Sequence, residues 1–184
     1  MQAPVTPAEQ RQLLDWSRRA IAAAVARAPA WRTAEAELTA NLRLPHAAFV
    51  TLWKQGELRG CIGRMDFARP LWQNVLQAAT AAALEDPRFS PVSLAELPAL
   101  ALEISILNPP VPIPSWQDFD VTRHGIIVER GLHGALLLPK VARDHGWSAA
   151  QTLEAVCHKA GLPADAWRLA ETRLQVFEAH EFAD

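Results

Sequence analysis

The chain has 184 residues and a mass of 20.2 kDa, the length of one large domain or two tightly joined subdomains. Half of the residues are hydrophobic and 21% are charged, with a formal net charge of -2, so disorder is excluded as the main state. A sequence pI near 6.3 disfavours a nucleic-acid binder driven by bulk charge.

Alanine fills 34 positions and Arg outnumbers Lys by 15 to 3, skews that follow base composition and carry no function by themselves. Arg still makes planar, bidentate contacts that Lys cannot, so single arginines matter locally. The two cysteines, Cys61 and Cys157, form neither a disulfide framework nor a CxxC metal knuckle. No stretch approaches the about 18 apolar residues of a membrane span, and the first residues lack the basic start of a signal peptide. The expectation is a reduced, cytoplasmic protein that binds neither membrane nor nucleic acid.

Thr6-Pro7-Ala8-Glu9 reads as a capping box with proline at the first helical position. Leu13, Leu14, Ala20, Ile21, Ala24 and Val25 then form an apolar helical stripe, limited by Pro29. From Ala48 the period changes to two. Phe49, Thr51 and Trp53 alternate with Val50 and Leu52, and Lys54 to Glu57 form a polar turn into a second strand from Leu58 to Ile62. Pro70 opens a helix with Leu71, Val75, Ala79 and Ala82 on one side, closing before Asp86-Pro87. Ser93-Leu94-Ala95-Glu96 is a capping box for a short turn.

Leu100, Leu102, Ile104 and Ile106 mark a strand with one buried face. Pro109, Pro110, Pro112 and Pro114 then read as an irregular connector, placing a subdomain junction near 109–114. A second hairpin runs from Gly125 through an Arg130-Gly131 turn to Leu138. A helix begins at Ser148 and ends at Gly161 and Pro163, with Leu153, Val156, Cys157 and Ala160 as its core face. Leu174, Val176 and Phe177 indicate one last strand. Hairpins with unevenly spaced helices give an α+β fold on a mainly antiparallel sheet flanked by helices.

Leu58-Arg59-Gly60-Cys61-Ile62-Gly63 is the stretch that could carry chemistry. Arg59 and Cys61 sit two apart on a strand and share a face, where a guanidinium favours the thiolate and lowers the thiol pKa. Gly60 and Gly63 leave room for a ligand or another backbone. The plainer alternative is a glycine bulge with Cys61 as a small buried hydrophobe. Asp86 and Arg88 can offer a carboxylate and a guanidinium to a polar ligand, or simply pair locally at a proline-broken helix end.

Six histidines show no HxH or HExxH spacing. With Arg130-Gly131 as the turn, Val128 pairs with His133. His124 then lies about 13 Å along the same face, too far to share one zinc ion. No metal site is therefore assigned, Cys157 reads as core, and Walker, dinucleotide and serine-hydrolase motifs are absent.

The hexapeptide Leu58–Gly63 resembles the signature of the AMMECR domain family, whose bacterial and archaeal members are labelled AmmeMemoRadiSam system protein A. The same order holds for Phe49-Val50-Thr51-Leu52, Glu85-Asp86-Pro87-Arg88-Phe89, Gly125–Glu129, Leu137-Leu138-Pro139 and Cys157–Pro163 with Trp167. The likeness runs from about residue 10 to 180; Lys140 departs from it, standing where glutamine is expected. The resemblance implies one α+β domain with a larger and a smaller subdomain, and assigns no activity or cofactor. It implies work alongside a Memo-type protein and a radical S-adenosylmethionine protein. Besides a purely architectural role for the hexapeptide, two readings follow. In one the chain is a binding or accessory component. In the other Cys61 is a catalytic nucleophile, with Arg59 and the neighbouring Gly60, Gly63, Asp86 and Arg88 binding an anionic or polar substrate.

Overall fold

The computed structural model describes residues 4–184. The fold is α+β, with two four-stranded sheets in two compact units. The first unit comprises the chain up to Leu107 together with His180–Asp184; the second comprises Asn108–Ala179.

In the first unit, helix α1 (Pro7–Val25) starts where the capping box places it: the Glu9 carboxylate accepts from the Thr6 N–H at 2.7 Å, and Thr6 Oγ1 accepts from the Glu9 N–H at 3.3 Å. Leu13, Leu14, Ala20 and Ile21 are buried, as the stripe requires. A short helix α2 (Ala40–Arg43), capped by Thr39, leads into strand β1 (Ala47–Lys54). The turn into β2 (Glu57–Arg64) is Gln55-Gly56, both at positive φ (54° and 83°), the backbone that a tight hairpin prefers.

After β2 comes α3 (Leu71–Leu84), and then β3 (Leu100–Leu107), which pairs antiparallel with the other edge of β1. The sheet order is β2-β1-β3-β8, where β8 is Ala179–Ala183. Val50, Leu52, Leu102, Ile104 and Ile106 form one sheet face in the core with Leu13, Ile21, Leu71 and Val75. Each such fully buried aliphatic side chain stabilises the fold by about 1.5–3 kcal/mol. Much of α3 facing the core is alanine (Ala78, Ala79, Ala82 and Ala83), so the helix backbone lies very close to the sheet. The alanine excess thus has a structural use here.

Buried Asn74 on α3 closes the entry to the hairpin. Its Nδ2 donates to the carbonyls of His46 (2.8 Å) and Asp66 (2.7 Å), which flank β1 and β2. Burying that amide is favourable because its donors are satisfied.

In the second unit the sheet order is β4 (Val111–Ile113), β7 (Arg173–Phe177), β5 (Gly125–Arg130) and β6 (His133–Leu137). Here the structure corrects the sequence reading at three places. The proline-rich stretch is not wholly irregular: Val111–Ile113 forms a short strand, β4, on an edge, where a missing proline N–H is tolerated. The turn between β5 (Gly125–Arg130) and β6 (His133–Leu137) is Gly131-Leu132, so Arg130 rather than Val128 faces His133. Gly131 takes φ 61° as the first turn residue and leaves Leu132 fully exposed. Finally, β7 (Arg173–Phe177) is followed by β8, so it is not the last strand.

Helix α4 (Pro139–His145) went unread, although Pro139 opens it and Gly146 closes it at φ 63°. Helix α5 (Ala149–Lys159) begins with the Ser148–Gln151 capping box. Cys157 is wholly buried among Leu153, Val156, Trp167 and Val176, and burial pushes its thiol pKa up. It is a core residue. Lys140 is the second residue of α4 and lies in this second unit. Among the described residues, no helix is long and apolar enough to cross a membrane.

Candidate functional site

Strand β2 is an edge strand, so one row of its backbone groups has no neighbouring strand. The segment after α3 covers that edge at Cys61. The Asp86 carboxylate accepts from the Cys61 N–H at 2.8 Å, while an Arg88 guanidinium nitrogen lies 3.5 Å from the Cys61 carbonyl oxygen. Arg88 also holds Asp86 in a fork, with Nε at 2.9 Å and Nη2 at 2.7 Å from its two oxygens, and the Arg88 N–H adds a third contact at 3.1 Å. The Asp86 side chain is only 2% exposed, against 53% for Arg88. The Arg88 guanidinium and the N–H of Cys61 hold the Asp86 carboxyl well below its ordinary range, outweighing the opposing effect of burial.

Arg59 is engaged elsewhere. Its Nε and Nη2 donate to the two Glu96 carboxylate oxygens at 3.0 and 3.3 Å, and Lys54 Nζ adds a third donor at 3.0 Å. Glu96 also accepts from the N–H and hydroxyl of Ser93, completing the capping box. Arg59, first, then the Ser93 N–H and Lys54 keep Glu96 far below its usual carboxylate range. The sequence reading sets Arg59 beside the thiol; in the structure its guanidinium is bound to Glu96. Arg59 is tied to Glu96 with its side chain 13% exposed, and the guanidinium that reaches the Cys61 backbone is that of Arg88.

Phe89 joins the two ion pairs. Its ring centroid lies 5.3 Å from the Arg88 guanidinium carbon and 6.0 Å from that of Arg59, both within cation–π range. Lys54, Glu96, Arg59, Phe89, Arg88 and Asp86 thus form one continuous charged and aromatic cluster along β2.

Cys61 itself is partly exposed, and the Thr51 hydroxyl donates to its Sγ at 3.3 Å from the paired position on β1. The two glycines are filled from within the protein. Gly60 faces α3, where an added Cβ would stand 2.1 Å from the Ala82 carbonyl oxygen. At Gly63 an added Cβ would meet the Phe49 ring at 2.2 Å. The close approach expected at these positions is made by the protein's own backbone and by an aromatic ring.

Of the residues singled out from sequence, Arg59, Cys61, Asp86 and Arg88 come together, while Gly60 serves the helix contact behind them. Glu96, Lys54 and Thr51 were missed as members of the cluster. Glu96 had a visible signal in its capping box, but its second role depends on tertiary pairing. Among the described residues, no three His, Cys, Asp or Glu side chains are grouped as metal ligands.

Comparison with known proteins agrees over most of the chain. The family model AMMECR1 matches residues 14–182. A protein of Methanothermobacter thermautotrophicus is 43% identical, covering 77% of this chain and 82% of its own length. Protein NEQ441 of Nanoarchaeum equitans is 37% identical, covering 80% and 86% respectively. The crystal structure of the uncharacterized protein PH0010 from Pyrococcus horikoshii superposes with a TM-score of 0.94 at 33% identity, covering 99% of this chain and 94% of that one. The hexapeptide on β2 and the segment that braces its edge thus lie inside the span matched by the family model, and the chain belongs to the AMMECR1 family.

Proposed function

We propose that this chain is a recognition component, not itself the catalyst, working with a Memo-type protein and a radical S-adenosylmethionine protein in the cytoplasm. The β2 cluster is its contact surface. The observation that carries this reading is the state of the two carboxylates beside β2. A general acid or base near neutrality needs a pKa near the working pH. Asp86 and Glu96 are both held far below that by arginines, so they serve as fixed anions. What is left is a fixed array of paired charges with one half-exposed guanidinium, Arg88, at its rim. Such an array suits the binding of an acidic or polar group on a partner.

Pull-down of the two partner proteins by the wild-type chain, Cys61→Ser and Arg88→Glu tests it. The complex survives Cys61→Ser and fails with Arg88→Glu, while thermal melts separate lost binding from lost fold. Binding unaffected by Arg88→Glu in a folded variant contradicts the proposal.

A second reading rests on Cys61. The partly exposed thiol, the Thr51 hydroxyl on its sulfur and the Arg88 guanidinium at its backbone make Cys61 a candidate nucleophile, with Arg88, Arg59 and Asp86 around a polar or anionic substrate. This reading requires Cys61 in the native chain to be alkylated faster than an ordinary free thiol under the same conditions. A Cys61 inert up to high pH removes it.

A further inference from the structure

Strand β2 follows β1 without a break in register from Cys61 to Arg64. Along an antiparallel pair, residues that exchange hydrogen bonds with the neighbouring strand alternate with residues that turn their backbone groups away from it. The Cys61 N–H points outward to Asp86, so Gly63, two residues on, also turns its N–H and C=O to the open edge. At Cys61 the edge is plugged by Asp86 and approached by Arg88. At Gly63 no partner for the outward groups is present among the described residues. Gly63 is partly exposed, and without a side chain that exposure belongs to its backbone.

Two side chains flank this open peptide unit. Towards Cys61 stands the half-exposed Arg88 guanidinium. Its Nε and Nη2 are held by Asp86, whereas its Nη1 has no partner among the described residues. The cluster it belongs to sets three cations, Lys54, Arg59 and Arg88, against two carboxylates, Glu96 and Asp86, and so keeps one positive charge unmatched. On the sheet face, the tip of the Phe49 ring fills the place of the missing Gly63 side chain, since a Cβ there would stand 2.2 Å from Cζ. Phe49 is itself partly exposed and thus reaches across β2 towards the edge. Side chains of directly opposed residues share a face, so a residue paired with Gly63 from outside would set its side chain on that ring.

A strand added at Gly63 cannot run on along β2, because the Asp86 carboxylate already occupies the edge at Cys61. It has to end there. An antiparallel chain travels from Gly63 towards Cys61 and delivers its C-terminal carboxylate about one residue (~3.3 Å) further on, beside Arg88. A parallel chain would bring an N-terminal ammonium to the same guanidinium, which like charge disfavours. We infer that β2 captures the free C-terminus of a partner chain. The penultimate residue pairs its backbone with Gly63 and sets an apolar side chain on Phe49, while the terminal carboxylate meets Arg88. This rests on the β2 cluster being the contact surface and adds the chemistry of what it holds.

The test is a titration of the full chain with the peptide acetyl-Thr-Val-Thr bearing a free C-terminal carboxylate, followed by the Gly63 backbone amide in a nitrogen–proton correlation spectrum. Expected is a saturable downfield shift of that amide, as its N–H gains an acceptor, with millimolar affinity for so small a ligand. The C-terminally amidated peptide, and the free acid on Arg88→Ala, should each bind about tenfold more weakly, as loss of a charge-assisted contact dictates. Methylating the valine nitrogen, which removes the donor for the Gly63 carbonyl, should weaken binding about three- to tenfold with the carboxylate intact. The peptide arms use the unaltered chain and stand even where a variant is destabilised. A Gly63 amide unmoved by the free acid overturns the capture, and so does equal affinity for the acid and the amide. Equal affinity for the N-methylated peptide also overturns it, because the carboxylate then binds without strand pairing. The pull-down with Arg88→Glu reads the contact surface separately: partners that still need Arg88 while these peptides fail leave the surface standing and remove only the C-terminal capture.

Discussion

The two cysteines lie in opposite environments, and their surroundings decide what each thiol can do. Cys157 is closed off in the core of the second unit, where burial disfavours its thiolate. Cys61 sits partly exposed on an edge strand, with its backbone gripped by Asp86 and Arg88 and its sulfur touched by the Thr51 hydroxyl. The same side chain is packing material in one place and part of a charged surface in the other. A strand edge braced by side chains gives rigidity without covering the groups that face outward. That combination is what a docking surface requires, and the core around Cys157 offers none of it.

The sharpest way to break the contrast is to loosen β2 from behind. Gly60→Ala drives a methyl into the Ala82 carbonyl, and is expected to cost on the order of 3 kcal/mol or more, read as a fall in urea midpoint. Asp86→Ala comes next. It strips the acceptor from the Cys61 N–H and from Arg88 and should cost about 2–4 kcal/mol, with Cys61 backbone amide exchange accelerated.

Acid should separate the two regions further. Asp86 and Glu96 have folded-state pKa values below their ordinary 3.8 and 4.5, so the unfolded chain binds more protons in that range. Their stabilisation is complete well above those ordinary values and is lost as pH falls through them towards the folded values. Melting temperature therefore drops between about pH 5 and 3 in the wild type and drops less steeply in Asp86→Asn, whose melts start lower. A parallel pH profile in the two proteins contradicts the assignment.

Thiol labelling of the native chain compares the two cysteines directly. Cys61 reacts in the folded protein, whereas Cys157 waits for unfolding and reacts on the order of a thousandfold more slowly. The smallest effect is expected from the exposed Arg130–Glu171 pair, where Arg130→Ala costs about 1 kcal/mol or less.

Much of the architecture was legible because it rests on local rules. Thr6–Glu9 and Ser148–Gln151 announce their helices, and the alternation from Phe49 to Trp53 announces β1. Short elements were harder. Val111–Ile113 pairs as a strand only because β7 lies beside it, and α4 has just seven residues, too few to display an apolar period. The β5–β6 turn slipped by one residue because Gly131 serves equally well as first or second turn residue until the partner strand fixes the register. At the site, Arg59, Cys61, Asp86 and Arg88 were all visible in sequence. Their partners were not: nothing local shows that Arg59 turns to Glu96, 37 residues away, and leaves Cys61 to Arg88.

The central claim is that the charged rim of β2, and not the Cys61 thiol, engages the partners. Its most direct test is the affinity of purified chain for the Memo-type protein, measured by calorimetry for wild type, Cys61→Ser and Arg88→Ala. The account predicts near-unchanged affinity for Cys61→Ser and a loss of about tenfold or more for folded Arg88→Ala, the worth of a charge-assisted contact. Full affinity in Arg88→Ala, or its loss in Cys61→Ser alone, would contradict it.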